Sequence, residues 1–181
     1  MNKKWSTKML VEAGVMIALA IVLSRVKIYQ APNGGSVTAG SMIPIIIFSM
    51  RWGIGPGVIM GATFGLLKLM LGGWTYSPMQ IILEYPIAFG SLGLAGMFSN
   101  SLSKIKERNY FQIVLSVLLA IGGRFICHLL AGVIFFKDTL PENISPWISS
   151  AAYQLTYLLP EFIVSVIILL LLWKPLSRIE K

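Results

Sequence analysis

The residues able to do chemistry in this chain are few, and most interrupt long apolar runs: Glu12, Lys68, Glu84, Arg124, His128 and Glu161. An ionisable side chain held at bilayer depth costs several kcal/mol unless it is paired or wet, so such residues mark functional positions first. With a helical rise of about 1.5 Å per residue, Glu84, His128 and the amide of Gln154 each fall roughly 10 to 12 Å below the same surface, on three different helices. Groups sharing one depth imply a shared pocket. Arg124, His128, Gly132 and Phe136 recur at every fourth position and form one helical stripe, whose glycine leaves room for close approach to the backbone. Ser150, Gln154 and Tyr157 share a face of the last helix, Tyr85 follows Glu84, and Trp74 stands in the turn just before them. A carboxylate, an imidazole, an amide and several aromatic rings suit a flat, heteroaromatic, positively charged ligand. Rings stack on it, the carboxylate neutralises it, and the amide and imidazole read its hydrogen-bonding edges. The segment Pro32-Asn33-Gly34-Gly35-Ser36 has the flexibility of a lid.

The elements that must position these groups follow from composition. Of 181 residues, 56% are hydrophobic and 12% charged, with a mean hydropathy of +0.77, whereas soluble domains carry about 25% charged residues. Runs long enough for a hydrocarbon core about 30 Å thick predict six spans, near residues 9–26, 36–50, 54–72, 77–98, 110–136 and 147–173. The second is short and spans only if it starts near Ser36 or tilts. Polar or Gly/Pro-bearing loops separate the spans, the first running from Lys27 to Thr38. Lys and Arg near span ends are retained in the cytoplasm. Lys3, Lys4, Lys8, Arg51, Lys104, Lys106, Arg108, Lys174, Arg178 and Lys181 fall on one side, against Arg25, Lys27 and Lys137 on the other. The fold class expected is therefore all-α: one polytopic membrane domain over residues 1–181, a six-helix bundle with both termini cytoplasmic. The same bias accounts for the net charge of +8 without nucleic acid as a partner.

Each deep residue also has a plainer role. Glu84 could pair with Arg124 or Lys68, and Arg124 could hold Glu84 or Glu161 in place. Lys68 lies about four residues from its outer helix end and is expected to snorkel to the surface. Glu12 is close enough to the cytoplasmic end to reach water. Glu161 follows Pro160, where a kink competes with a binding role. On the first span Gly14 and Ala18 form a small-xxx-small pair, suited to docking a partner helix or to internal packing. The lone Cys127 excludes an intramolecular disulfide. The sequence carries no phosphate-binding nucleotide loop, zinc-protease motif or serine elbow, and one histidine with one cysteine makes a metal site improbable.

Several runs resemble the thiamine-specific substrate-binding (S) component of energy-coupling factor transporters. They are Gly34-Gly35-Ser36-Val37-Thr38, Met42-Ile43-Pro44, Arg51-Trp52-Gly53, Leu83-Glu84-Tyr85-Pro86, Leu92-Gly93-Leu94-Ala95-Gly96, Arg124-Phe125 and His128 through Phe136 with Gly132 inside it. The resemblance spans nearly the whole chain in order. It implies a six-helix S-component fold in a bacterial plasma membrane, with a thiamine pocket roofed by the first outer loop. It implies assembly with a transmembrane coupling subunit and two cytoplasmic ATPases, which use the ATP, so that no cofactor belongs to this chain. Carried across, the pocket carboxylate and tyrosine fall on Glu84 and Tyr85, the histidine on His128, the close-approach glycine on Gly132, the basic residue on Arg124, and the docking strip on Gly14 and Ala18. Phe136 stands where some members carry a stacking tryptophan, Gln154 where the family has asparagine, Ser149 where a tyrosine is expected, and Lys68 where a neutral residue is expected. A thiamine precursor, phosphate ester or related pyrimidine is the alternative ligand. A self-sufficient secondary transporter, or a membrane enzyme using Glu84 with His128, are the readings from other classes.

Overall fold

The computed structural model describes residues 5–32, 34–98, 110–136 and 143–179, with the side chains described as far as 173. Among the charges that set the orientation, Lys3, Lys4, Lys104, Lys106, Arg108, Lys137 and Lys181 lie outside the described residues, as does Asn33 of the lid segment.

Helix α1 (Thr7–Arg25) starts at Ser6, whose hydroxyl accepts the Met9 N–H at 3.2 Å and so satisfies one of the orphan donors of the first turn. It buries a narrow stripe through Met9, Ala13, Ala20 and Ser24. Val11, Gly14, Val15, Ala18 and Val22 are exposed on another face. The next segment differs from the expected irregular loop. Strands β1 (Lys27–Gln30) and β2 (Ser36–Thr38) pair antiparallel, Lys27 opposite Thr38 and Gln30 opposite Ser36, with an irregularity between Lys27 and Tyr29. The turn closes through Ala31 N–H to the Gly35 carbonyl at 2.7 Å, and Gly34 there takes a φ of +95° that a side chain would resist. Because β2 uses residues 36–38 as strand, the second helix cannot begin there. Helix α2 (Ile43–Trp52) holds ten residues, about 15 Å of rise, and is almost wholly buried.

Gly53, with φ +101°, reverses the chain into α3 (Ile54–Met70). Helix α4 (Pro78–Phe98) is capped by Ser77, which accepts the Gln80 N–H at 3.2 Å. Pro86 has no N–H to donate, and around it α4 widens to a π-helical turn over Leu83–Ile87, the Ala88 N–H reaching back to the Leu83 carbonyl. Helices α5 (Tyr110–Phe135) and α6 (Pro146–Ile179) complete the bundle. By length and composition α1, α4, α5 and α6 can cross a bilayer, while α2 and α3 are shorter apolar helices.

Close helix packing is set by glycines the sequence reading passed over. Gly57, Gly61 and Gly65 form a small-residue stripe on α3. A Cβ on them would fall 3.0 Å from Gly93 Cα, 2.9 Å from the Phe89 carbonyl carbon and 2.7 Å from the Tyr85 carbonyl carbon of α4. The two backbones touch, as small-xxx-small packing allows. Gly14 has nothing within 4 Å of such a Cβ, so the Gly14–Ala18 strip serves no packing inside the described chain.

Candidate functional site

The wide turn of α4 carries Glu84, and its two carboxylate oxygens face different partners. One accepts from the side-chain amide of Gln80, which is fully buried and whose own oxygen accepts the Tyr76 N–H at 3.0 Å. The other lies 3.5 Å from Nδ1 of His128 on α5. One turn earlier on α5, Arg124 Nε donates to His128 Nε2 at 3.2 Å. A guanidinium can only donate, so Nε2 must be bare, and the imidazole proton sits on Nδ1, directed at Glu84. Arg124 pairs with no carboxylate among the described residues: Nη1 reaches Met42 Sδ at 3.2 Å and the guanidinium carbon stacks 4.2 Å from the centre of the Phe89 ring. It is a strut for the imidazole, and Glu84 is paired with His128 rather than with Arg124 or Lys68, the alternative partners.

On α6, the Gln154 amide donates to the His128 carbonyl at 3.2 Å and accepts from the Tyr157 hydroxyl. Ser150 Oγ bonds the Leu129 carbonyl at 3.1 Å, and it occupies the space over Gly132, where a Cβ would lie 2.9 Å from Ser150 Cβ. The glycine thus admits a neighbouring helix as well as facing the site. Trp74, Tyr76 and Phe136 form a ring cluster, with Phe136 5.3 Å from both others and Trp74 stacked on Tyr76 at 6.3 Å. The Tyr85 hydroxyl fixes this cluster by donating to the Trp74 carbonyl at 2.8 Å.

Many of these groups line an open-mouthed cavity of about 540 Å³, inside the range that drug-sized ligands occupy. Its lining includes Trp74, Glu84, Tyr85, Arg124, His128, Gly132, Phe136 and Gln154, together with Ser150 and Tyr157. Gly34, Gly35 and Ser36 of the hairpin turn also line it, and Gly35 packs against the Tyr157 ring so closely that a Cβ would overlap it. Gly14 and Ala18 lie elsewhere, on the outer face of α1. Sequence reading missed Gln80, although it lies one turn before Glu84 and shares its helical face. It also missed Tyr76 and Tyr153.

Three deep residues sit differently from expectation. Lys68 lines the cavity, with its amine 5.5 Å from the Phe89 ring, instead of snorkelling outward. Glu12 pairs with Arg51 at 3.5 Å and ties α1 to the end of α2. Glu161 is fully buried, accepting the Thr38 N–H at 2.6 Å and the Thr38 hydroxyl at 2.7 Å, so it anchors the base of the hairpin to α6. Glu161→Leu is expected to lower stability by about 2–4 kcal/mol, since it removes two hydrogen bonds to a charged acceptor and strands buried donors. Thr38→Val should lose roughly half of that. Thermal unfolding in detergent, followed by tryptophan emission, would show whether the order holds.

Among the described residues, a bundle of four long and two short apolar helices, closed at one end by a hairpin over an aromatic chamber, defines a membrane-embedded small-molecule-binding protein. Its fold matches that of ThiT from Listeria monocytogenes, with a TM-score of 0.81, 24% identity, and 95% of this chain and 96% of that one covered. It also matches the S-component for biotin from an ECF-type ABC transporter, with a TM-score of 0.66, 19% identity, and 96% and 93% covered. The chain belongs to the thiamine transporter protein (Thia_YuaJ) family, whose profile matches residues 10–181. Thiamine transporter ThiT of Bacillus subtilis (strain 168) is 33% identical over 100% of this chain and 98% of its own length. The protein of that name from Lacticaseibacillus paracasei is 29% identical over 78% and 74%. The protein is thus a multi-pass component of the bacterial plasma membrane.

Proposed function

We propose that this protein captures thiamine in the chamber between α4, α5 and α6 and delivers it as the substrate-specificity subunit of an ATP-driven energy-coupling factor importer. The observation that carries the reading is Glu84, a carboxylate fixed by Gln80 and His128 inside a ring-lined cavity of about 540 Å³. Thiamine offers an aminopyrimidine, whose exocyclic amine can donate to Glu84, and a cationic thiazolium ring, which stacks favourably on Trp74 and Phe136. Tyr85 holds the Trp74 turn, Arg124 orients His128, and Gln154 and Gly132 set how closely α6 approaches the ligand. Each residue acts by binding, and no step of covalent chemistry is asked of the chain. The exposed Gly14–Ala18 strip of α1 supports docking of a transmembrane coupling subunit, with two cytoplasmic ATPases supplying the energy.

The test is a titration of the purified chain with thiamine, read by quenching of tryptophan emission, to which Trp74 contributes directly. A saturable signal with a Kd below about 1 µM is expected. Absence of any signal, with a folded protein, would overturn the reading. Reconstituted alone in liposomes, the chain is expected to bind thiamine without accumulating it, and accumulation driven by an ion gradient would point instead to a self-sufficient transporter.

A further inference from the structure

Gln80 is fully buried and does not itself line the chamber, yet it is held at three points. Its backbone N–H donates to the Ser77 hydroxyl at 3.2 Å, its side-chain oxygen accepts the Tyr76 N–H at 3.0 Å, and its Nε2 donates to Glu84. The Tyr76 N–H can only donate, so it fixes which end of the carboxamide faces it, and the NH₂ must point at the carboxylate. A buried amide costs free energy unless its polar atoms are satisfied, and an apolar residue would fill this position without that demand. Here the amide joins two parts of the site. Tyr76 belongs to the ring cluster with Trp74 and Phe136, and the same turn is tied to α4 again by the Tyr85 hydroxyl on the Trp74 carbonyl. Glu84 sits at the other end of the amide, with its second oxygen facing His128. The direction of the carboxylate is thus set by the place of the ring-bearing turn.

We propose that Gln80 is a positioning residue that couples the aromatic wall to Glu84, so that a ligand stacked on Trp74 and Phe136 meets a carboxylate already aimed at its exocyclic amine. The inference rests on the preceding reading of the ligand and deepens it. Selection for the amine becomes a property of the chain Tyr76–Gln80–Glu84 rather than of Glu84 alone. An acceptor oriented in advance binds without first losing its rotameric freedom, and the bonds along such a chain strengthen one another.

Thiamine and its analogue with hydrogen in place of the exocyclic amine should be titrated against the wild type, Gln80→Met, Glu84→Gln and the exchange variant Gln80→Glu/Glu84→Gln, with a melting curve for each. The wild type is expected to favour thiamine by at least about tenfold. Gln80→Met, similar in length, should weaken thiamine by about 10- to 30-fold and the analogue by less than about threefold. A purely structural glutamine would move both ligands together. The exchange variant restores complementarity: the carboxylate introduced at position 80 accepts from the Tyr76 N–H and from the amide at position 84, whose oxygen then faces the His128 proton. It should melt about 2–4 °C above Glu84→Gln and bind thiamine about 3- to 10-fold more tightly than that variant. Equal loss of both ligands in folded Gln80→Met, no loss of either, or a wild type indifferent to the amine overturns the coupling and leaves thiamine binding itself in place. Should Gln80→Met not fold, an exchange variant that fails to melt above Glu84→Gln or to bind better than it overturns the coupling. If neither ligand binds the folded wild type, the thiamine reading fails and the coupling with it.

Discussion

Glu84→Gln is expected to weaken thiamine binding by roughly 30- to 1,000-fold, because it removes a charge-assisted acceptor worth about 2–4 kcal/mol in a shielded site. The substitution preserves shape, so the loss can be traced to chemistry. Both neighbours of Glu84 are donors: the amide of Gln80 on one oxygen, and the Nδ1 proton of His128 on the other. A carboxamide has one oxygen and one NH₂, so whichever way it turns, donor meets donor on one side. Either Gln80 turns away and releases the Tyr76 N–H that it holds at 3.0 Å, or the imidazole swings out of line with Arg124. His128→Ala removes one of the two donors and with it part of the conflict. The double variant Glu84→Gln/His128→Ala should therefore be less impaired than the sum of the single effects, by about 1–2 kcal/mol. Titrations of the four proteins by tryptophan quenching, each checked for a native melting curve, close the cycle. Unchanged affinity in folded Glu84→Gln would remove this carboxylate from the binding site.

How much of this site was legible before the structure depends on whether the signal is periodic. The stripe Arg124, His128, Gly132 and Phe136 was legible because α5 is a long helix and fourfold spacing fixes a face; all four residues line the chamber. Glu84 was legible by depth, but its setting was not. Pro86 in an apolar run announces a distortion without saying whether the helix kinks, breaks or widens, and here it widens. The hairpin was lost because β1 is only four exposed residues, too short for alternation to stand out from a Gly/Pro-bearing loop. The strand pairing in turn shortened α2. Lys68 shows the limit of counting residues to a helix end: depth says nothing of azimuth, and the side chain turns towards the chamber rather than outward. The Glu161 anchor joins residues 123 positions apart in the chain, and no local pattern reports such a contact. The small-residue signal was seen on α1 at Gly14 and Ala18, whereas the stripe that joins described helices is on α3.

That α3 stripe leads to the second large effect, which concerns how Glu84 is held at its height. Gly65 packs against the π turn itself: a Cβ there would overlap the Tyr85 carbonyl oxygen and stand 2.7 Å from its carbon. Both atoms belong to backbone that cannot rotate aside as a side chain could, so α3 and α4 must separate or the turn must shift. Gly65→Ala is expected to destabilise the protein by about 1–3 kcal/mol as an overpacked core position. It should also weaken ligand binding, since the displaced turn carries Glu84 away from His128 Nδ1, already at 3.5 Å. Gly65→Val should exceed this and leave little folded protein. Gly122→Ala on α5 is the matched comparison, because nothing lies within 4 Å of the added carbon. There the loss of glycine's backbone freedom should leave stability unchanged or raise it by about 0.5–1 kcal/mol, with affinity unaltered. Melting temperature and Kd measured on the same samples separate the two sites. If Gly65→Ala tracked Gly122→Ala in both quantities, backbone contact between α3 and the π turn would not be what positions the carboxylate.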